Sequence, residues 1–132
     1  MKSLNELSKE VHENAVAHGW WDEERAFGEI IALCHSELSE ALEEYRKNKP
    51  MFYRYCYKED CEYCNKGVCQ NARGMTTDCR EKKAEGIATE LADCIIRILD
   101  YCGKEDIDID EIIAVKMAYN KTRPYKHGGK RI

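Results

Sequence analysis

Phe27-Gly-Glu-Ile-Ile-Ala-Leu-Cys-His-Ser-Glu-Leu-Ser-Glu-Ala-Leu-Glu-Glu-Tyr45 decides the fold class. Apolar side chains recur at Phe27, Ile30, Ile31, Cys34, Leu38, Ala41, Leu42 and Tyr45, which is the period of one helical face and not of a strand. Asp22 is the expected N-cap of this helix, and Pro50 stops it after Lys49. Upstream, Ser3-Leu-Asn-Glu6 has the form of a capping box. Leu4, Leu7, Val11 and Ala15 then line one face of a helix that ends near Gly19. Downstream, Ile87, Leu91, Ile95, Ile98 and Leu99 mark a third helix from Lys83 to Tyr101, with Gly103 at the C-cap. Asp108 and Glu111 open a fourth, expected to bury Ile109, Ile112, Ile113 and Met117 and to close before Pro124. The chain reads as all-α, a four-helix bundle in a single domain over residues 1–132.

Composition agrees. A chain of 132 residues, 43% apolar and 35% charged, can bury a core without disulfides and is not disordered. The longest apolar run, Ile30 to Cys34, is far too short to span a membrane. The Met1-Lys-Ser-Leu-Asn-Glu6 start has no apolar signal region, so a cytoplasmic protein is expected. The formal net charge of −4 conceals an asymmetry. Residues 116–132 hold six Lys and Arg and no acid, which leaves 15 basic against 25 acidic residues elsewhere, a balance of −10. Nucleic acid is an unfavoured partner for such a body. Carboxylates that collect a divalent cation, with basic side chains that collect phosphate, fit it better.

Residues 50–80 are of another kind, holding five of the eight cysteines and five aromatics with little helical period. Cys56-x4-Cys61-x2-Cys64-x4-Cys69 offers four thiols to a second metal, and Zn²⁺ suits them. Reduced, uncoordinated thiols are the alternative, and the spacing fits no ferredoxin pattern. Cys34, Cys94 and Cys102 lie on helical faces and read as small buried hydrophobes.

The second helix carries Glu37-Leu-Ser-Glu40 and the third Glu90-Leu-Ala-Asp93. Residues three apart share a helix face, so antiparallel packing brings four carboxylates together. Burying them ionised without a partner is prohibitively costly, whereas Mg²⁺ or Mn²⁺ is at home among oxygen ligands. A di-iron site would need Glu-x-x-His, and the third residue after each Glu is acidic instead. Glu43, Glu44 and Glu85 read as solvated surface acids.

These pairs, with Ser36 to Tyr45, Glu85 to Asp93, Lys116-Met-Ala-Tyr-Asn120 and Arg123-Pro-Tyr-Lys-His-Gly-Gly-Lys130, resemble the MazG-like nucleoside triphosphate pyrophosphohydrolases. That all-α superfamily also includes dimeric dUTPases. The resemblance implies a helical bundle associating as a homodimer or homotetramer, and cleavage of a (d)NTP between its α- and β-phosphates to a monophosphate and pyrophosphate, as in house-cleaning. It implies that Glu37, Glu40, Glu90 and Asp93 are the Mg²⁺ ligands and catalytic groups. Lys116, Asn120, Arg123 and His127 become phosphate-binding groups of the basic C-terminal tail, with Lys126 and Lys130 beside them. One of the adjacent Trp20 and Trp21 faces a base, and Trp21 is counted among the substrate-binding residues. Two other classes stay open: a non-catalytic nucleotide-binding module with a structural metal, and a zinc-bearing nucleic-acid adaptor.

Overall fold

In a computed structural model, which describes residues 1–55, 68–70, 82–129 and 131, Ser3 and Glu6 form the expected capping box at the start of α1 (Leu4–Ala17). The other long helices are α2 (Phe27–Arg46), α3 (Ile87–Lys104) and α4 (Ile109–Thr122), and a single turn, α5 (Lys126–Gly129), follows Pro124. The all-α expectation holds at this level. Among the described residues no helix is long and apolar enough to cross a membrane.

The chain divides into two compact units, one of residues 1–24 and 99–132, the other of residues 25–98. In the first, α1 and α4 cap each other. The Asn5 side-chain oxygen accepts from the amides of Ile109 (2.9 Å) and Asp110 (3.3 Å), while the Asp110 carboxylate accepts from those of Leu4 (3.2 Å) and Asn5 (3.0 Å). Each helix thereby fills free donors of the other's first turn. Asp108 is the N-cap of α4, as expected. The buried position of α1 is Ser8, whose hydroxyl donates to the Leu99 carbonyl at 2.6 Å. Gly103 lies inside α3 and is no C-cap: a Cβ there would stand 2.7 Å from the Ser8 carbonyl oxygen and from His12 Cβ, so glycine is required for the close approach of α1. Against expectation α4 buries none of its residues, and Ile112, Ile113 and Met117 are exposed.

In the second unit, α2 begins five residues after Asp22. Its N-cap is Ala26, and the Asp22 amide instead closes a turn onto the Gly19 carbonyl, with Gly19 at φ +82°. The left-handed glycine breaks the helical path of the backbone after α1, so no helix continues through Asp22. Ile30, Cys34, Glu37 and Ala41 form the buried line of α2. Phe27, Ile31, Leu38, Leu42 and Tyr45, expected on the same face, are exposed, as are Leu91 and Ile95 of α3. The insert contributes structure of its own where only loop was expected. β1 (Arg54–Tyr55) pairs antiparallel with β2 (Val68–Cys69), and Tyr53 forms a bridge with Glu85. Tyr53 and Cys69 are buried by this pairing. The bridge occupies the residues before Gly86 and delays α3 to Ile87, four residues after the expected Lys83.

Candidate metal centre

Glu37 and Glu40 stand one turn apart on α2, and Glu90 lies in the first turn of α3. A carboxylate oxygen from each of the three lies within 4.8 Å of the other two, within the second unit. Glu44 and Glu85 form a similar group with Glu90. As position rises along α2 from Glu37 to Glu44, the facing residue falls from Glu90 in α3 to Glu85 just before it, so the helices run antiparallel, as the paired acids required.

Glu37 is the fixed member. It is 6% exposed and accepts a 2.7 Å hydrogen bond from Arg97 Nε. Burial opposes its ionisation, but the Arg97 hydrogen bond, hydrogen bonds from the Glu40 and Glu90 carboxyls and the Arg97 charge together hold it below the usual carboxylate range. Its neighbours go the other way. The hydrogen bond to Glu37, then burial and the Glu37 charge, push Glu40 up. Burial, the Glu37 hydrogen bond and the surrounding negative charges push Glu90 up to about 7. Asp93 is raised by burial and by Glu37, and stands beside the three-carboxylate group. One guanidinium cannot neutralise four acids, so the cluster holds protons at its centre. An all-oxygen donor set that shares protons in this way fits a hard divalent cation, which would displace them.

The first unit holds the other residues expected at the site. Trp21 donates from Nε1 to both Asp100 oxygens (3.0 and 3.2 Å), packs edge-on against His12 at 5.6 Å, and has Lys104 Nζ over its ring. Trp20 is the exposed member of the pair, at 65%. Lys116 Nζ and Arg123 Cζ both lie against the Tyr119 ring, at 5.3 and 5.8 Å, with Asn120 next in sequence. Lys116 is exposed, with no buried apolar stripe around it. The side chain of His127, and Lys130, lie outside the described residues, as do Cys56, Cys61 and Cys64 of the expected zinc set. Cys69 is described, as a buried free thiol of β2.

Three residues of consequence, Glu44, Glu85 and His12, were not expected at the site. Arg97, four positions after Asp93 on the same face, reads from the sequence as the partner of an acid or of phosphate, but nothing in a sequence selects Glu37 as that acid. Glu44 extends the acidic face of α2 by one turn beyond Glu40, and that periodic extension was the available signal, whereas Glu85 is brought in by its bridge with Tyr53 before α3 begins and left none. Glu44 also accepts from the Tyr53 hydroxyl at 3.0 Å, a contact supplied by the insert. His12, whose Nδ1 is 2.8 Å from Asp100 Oδ1, gave no sequence signal at all. Comparison of the chain with protein-family models, with curated proteins and with solved structures finds no match.

Proposed function

We propose that the protein is a Mg²⁺-dependent nucleotide pyrophosphohydrolase of the MazG-like type, acting in the cytoplasm as a homo-oligomer and splitting a (d)NTP into a monophosphate and pyrophosphate. The observation that carries this reading is the convergence of Glu37, Glu40 and Glu90 within 4.8 Å, with Asp93 beside them, from two helices whose acidic pairs have the family's spacing. Bound Mg²⁺, or Mn²⁺ in its place, would neutralise phosphate charge and acidify a water. Glu37, kept ionised by Arg97, would anchor the cation, and Glu40 and Glu90 would give up their protons to complete the ligand set. Asp93, outside the group of three, is the carboxylate left to accept the proton of the attacking water. Lys116 and Arg123 keep the phosphate-binding roles that the resemblance implies for them, Arg123 through its bidentate fork.

The test is pyrophosphate release from canonical and modified (d)NTPs, with and without Mg²⁺. Release that requires the metal and falls at least about 100-fold in Glu40→Ala is expected. Lys116→Ala and Arg123→Ala are expected chiefly to raise KM. Nucleotide binding without turnover in the wild type would replace the enzyme with a binding module.

A further inference from the structure

A cavity of about 550 Å³ lies in the first compact unit, between one face of α1 and the turn joining α3 to α4. None of its lining residues serves the metal or the phosphates in the reading above. Its inner wall includes the buried Ser8 and Cys102 and the half-buried Ile107, and the Ser8 hydroxyl is already given to the Leu99 carbonyl. Polar character is concentrated elsewhere. Glu13, Asp106 and Asp108 line the cavity as exposed carboxylates, against one exposed ammonium, Lys9. Asn5 Nδ2 donates to Asp108 Oδ1 at 2.7 Å, and that bond with the one from the Glu111 amide holds Asp108 below the usual carboxylate range, so it stands charged at the Asn5 end. His12 stands at the other end. Asp100 accepts from Trp21 Nε1 through both oxygens and from His12 Nδ1 at 2.8 Å. With its proton on Nδ1, the neutral ring offers Nε2 as an acceptor, and among the described residues nothing donates to it.

We propose that this cavity binds an aliphatic diamine in its doubly protonated form, with one ammonium at Asp108, the other at His12 Nε2 and Glu13, and the methylene stem along Cys102 and Ile107. The two ends match in chemistry: both offer acceptors, and an ammonium brings three donors and no acceptor. They also match in spacing. From Asn5 to His12 and Glu13, α1 rises about 10–12 Å. An ammonium one hydrogen bond of about 2.8 Å inside each end leaves about 5–6 Å between the nitrogens, which is the reach of a four-carbon stem. Asp106 adds a third negative charge to the field that draws the dication in. A dianion of the same length would face three carboxylates with Lys9 as its counter-charge, and an uncharged diol would leave those charges unanswered. A small-ligand site of this kind is concave, with a few convergent polar groups around an apolar wall. The site shares no residue with the carboxylates of the proposed metal centre, so it stands or falls without them.

The experiment is an NMR titration of the whole ¹⁵N-labelled, metal-free protein with 1,4-diaminobutane, and in parallel with succinate, a four-carbon dianion. With the diamine, the amide signals of residues 8–13 and 103–108 and the His12 ring nitrogens should shift together, half-saturating at about 1 mM or below, and with succinate they should stay in place. Glu13→Gln combined with Asp106→Asn should raise that midpoint at least about tenfold. Both side chains are exposed, and Asn tolerates the left-handed backbone of Asp106 (φ +53°), so circular dichroism should show the wild-type helix content. Should the variant misfold, mapping on the wild type still tests the site. Absence of saturating shifts in these segments would overturn the proposal, as would equal shifts with succinate, shifts centred on Glu37, Glu40 and Glu90, or a folded double variant with the wild-type midpoint.

Discussion

Glu90 illustrates how one side chain links the candidate site to stability. Its carboxyl titrates at about 7 in the folded chain, against the usual carboxylate range when unfolded. A raised value means that the folded state holds the proton more tightly, so its contribution is complete at acid pH and is lost as pH rises through about 7. Glu40 and Asp93 act in the same direction, while Glu37, held low by Arg97, acts in the opposite one and loses its contribution as pH falls below the usual carboxylate range. The metal-free protein should therefore melt at a lower temperature at pH 8 than at pH 5.5, as scanned by fluorimetry in the presence of a chelator. Mg²⁺ or Mn²⁺ should raise the melting temperature more at pH 8 than at pH 5.5, because at pH 8 fewer protons have to leave. Glu90→Gln should flatten the pH slope; a slope unchanged in that variant would separate Glu90 from the effect. Arg97 has two opposed roles at the same place. Its removal strands the buried Glu37 charge and should cost the metal-free protein about 2 kcal/mol in urea denaturation. It also withdraws a positive charge from the cation's surroundings, so Arg97→Ala should bind Mn²⁺ about three- to tenfold more tightly. Weaker binding in that variant would mean that Arg97 chiefly positions Glu37.

The start of α3 shows how an element places the site. Gly86 has φ +107°, and a Cβ there would lie 2.5 Å from the Met51 carbonyl oxygen, which itself accepts from the Ala88 amide. The first helical bond of α3, from the Glu90 amide to the Gly86 carbonyl, hangs on this turn. Gly86→Ala should cost about 2 kcal/mol or more from backbone strain and the clash together, and should weaken Mn²⁺ binding by displacing Glu90. Gly28, in the first turn of α2 with open space where a Cβ would go, is the control: Gly28→Ala should be neutral or stabilising by up to about 1 kcal/mol. Both follow from one denaturant series, and equal effects would contradict this account of Gly86. The two glycines also show what was legible in the sequence. Periodicity located all four long helices, and the capping box at Ser3 and the N-cap at Asp108 were correctly placed, because those signals are local. The true starts of α2 and α3 were not legible, since a left-handed Gly19 and a strand bridge from Tyr53 to Glu85 decide them, and the bridge is a contact distant in sequence. The acidic pairs were legible through their spacing of three. Arg97 was legible as the partner of some acid, but its choice of Glu37 was not, because charge pairing between helices leaves no periodic trace.

At the scale of the whole molecule, the described residues leave many large apolar side chains exposed. Leu38, Leu42 and Tyr45 form one row on α2, and Ile112, Val115 and Tyr119 another on α4, each side chain about half exposed or more. Single exposed apolar residues are ordinary, but rows of three at helical spacing are not the habit of a monomer. The homo-oligomer proposed above gives such rows a partner, and a two-fold contact needs only one row, met by its own copy. A stable interface of that kind removes about 1,200 Å² or more from water, and its apolar part stabilises at about 25 cal/mol per Å². Light scattering on the eluting protein should then give at least twice the 15.4 kDa chain mass at micromolar concentration. Raising the salt concentration should not dissociate it, since the contact is apolar and not ionic. Ile112→Lys combined with Val115→Lys places two like charges in the α4 row, and Leu42→Lys places one in the α2 row. Because these side chains are already exposed, each variant should keep the wild-type helical circular dichroism, and the one whose row forms the contact should fall to the single-chain mass. A wild type that elutes as a monomer would remove the oligomer. Variants that both stay associated would clear these rows and move the contact to the exposed face of α3 around Leu91, Ile95 and Ile98.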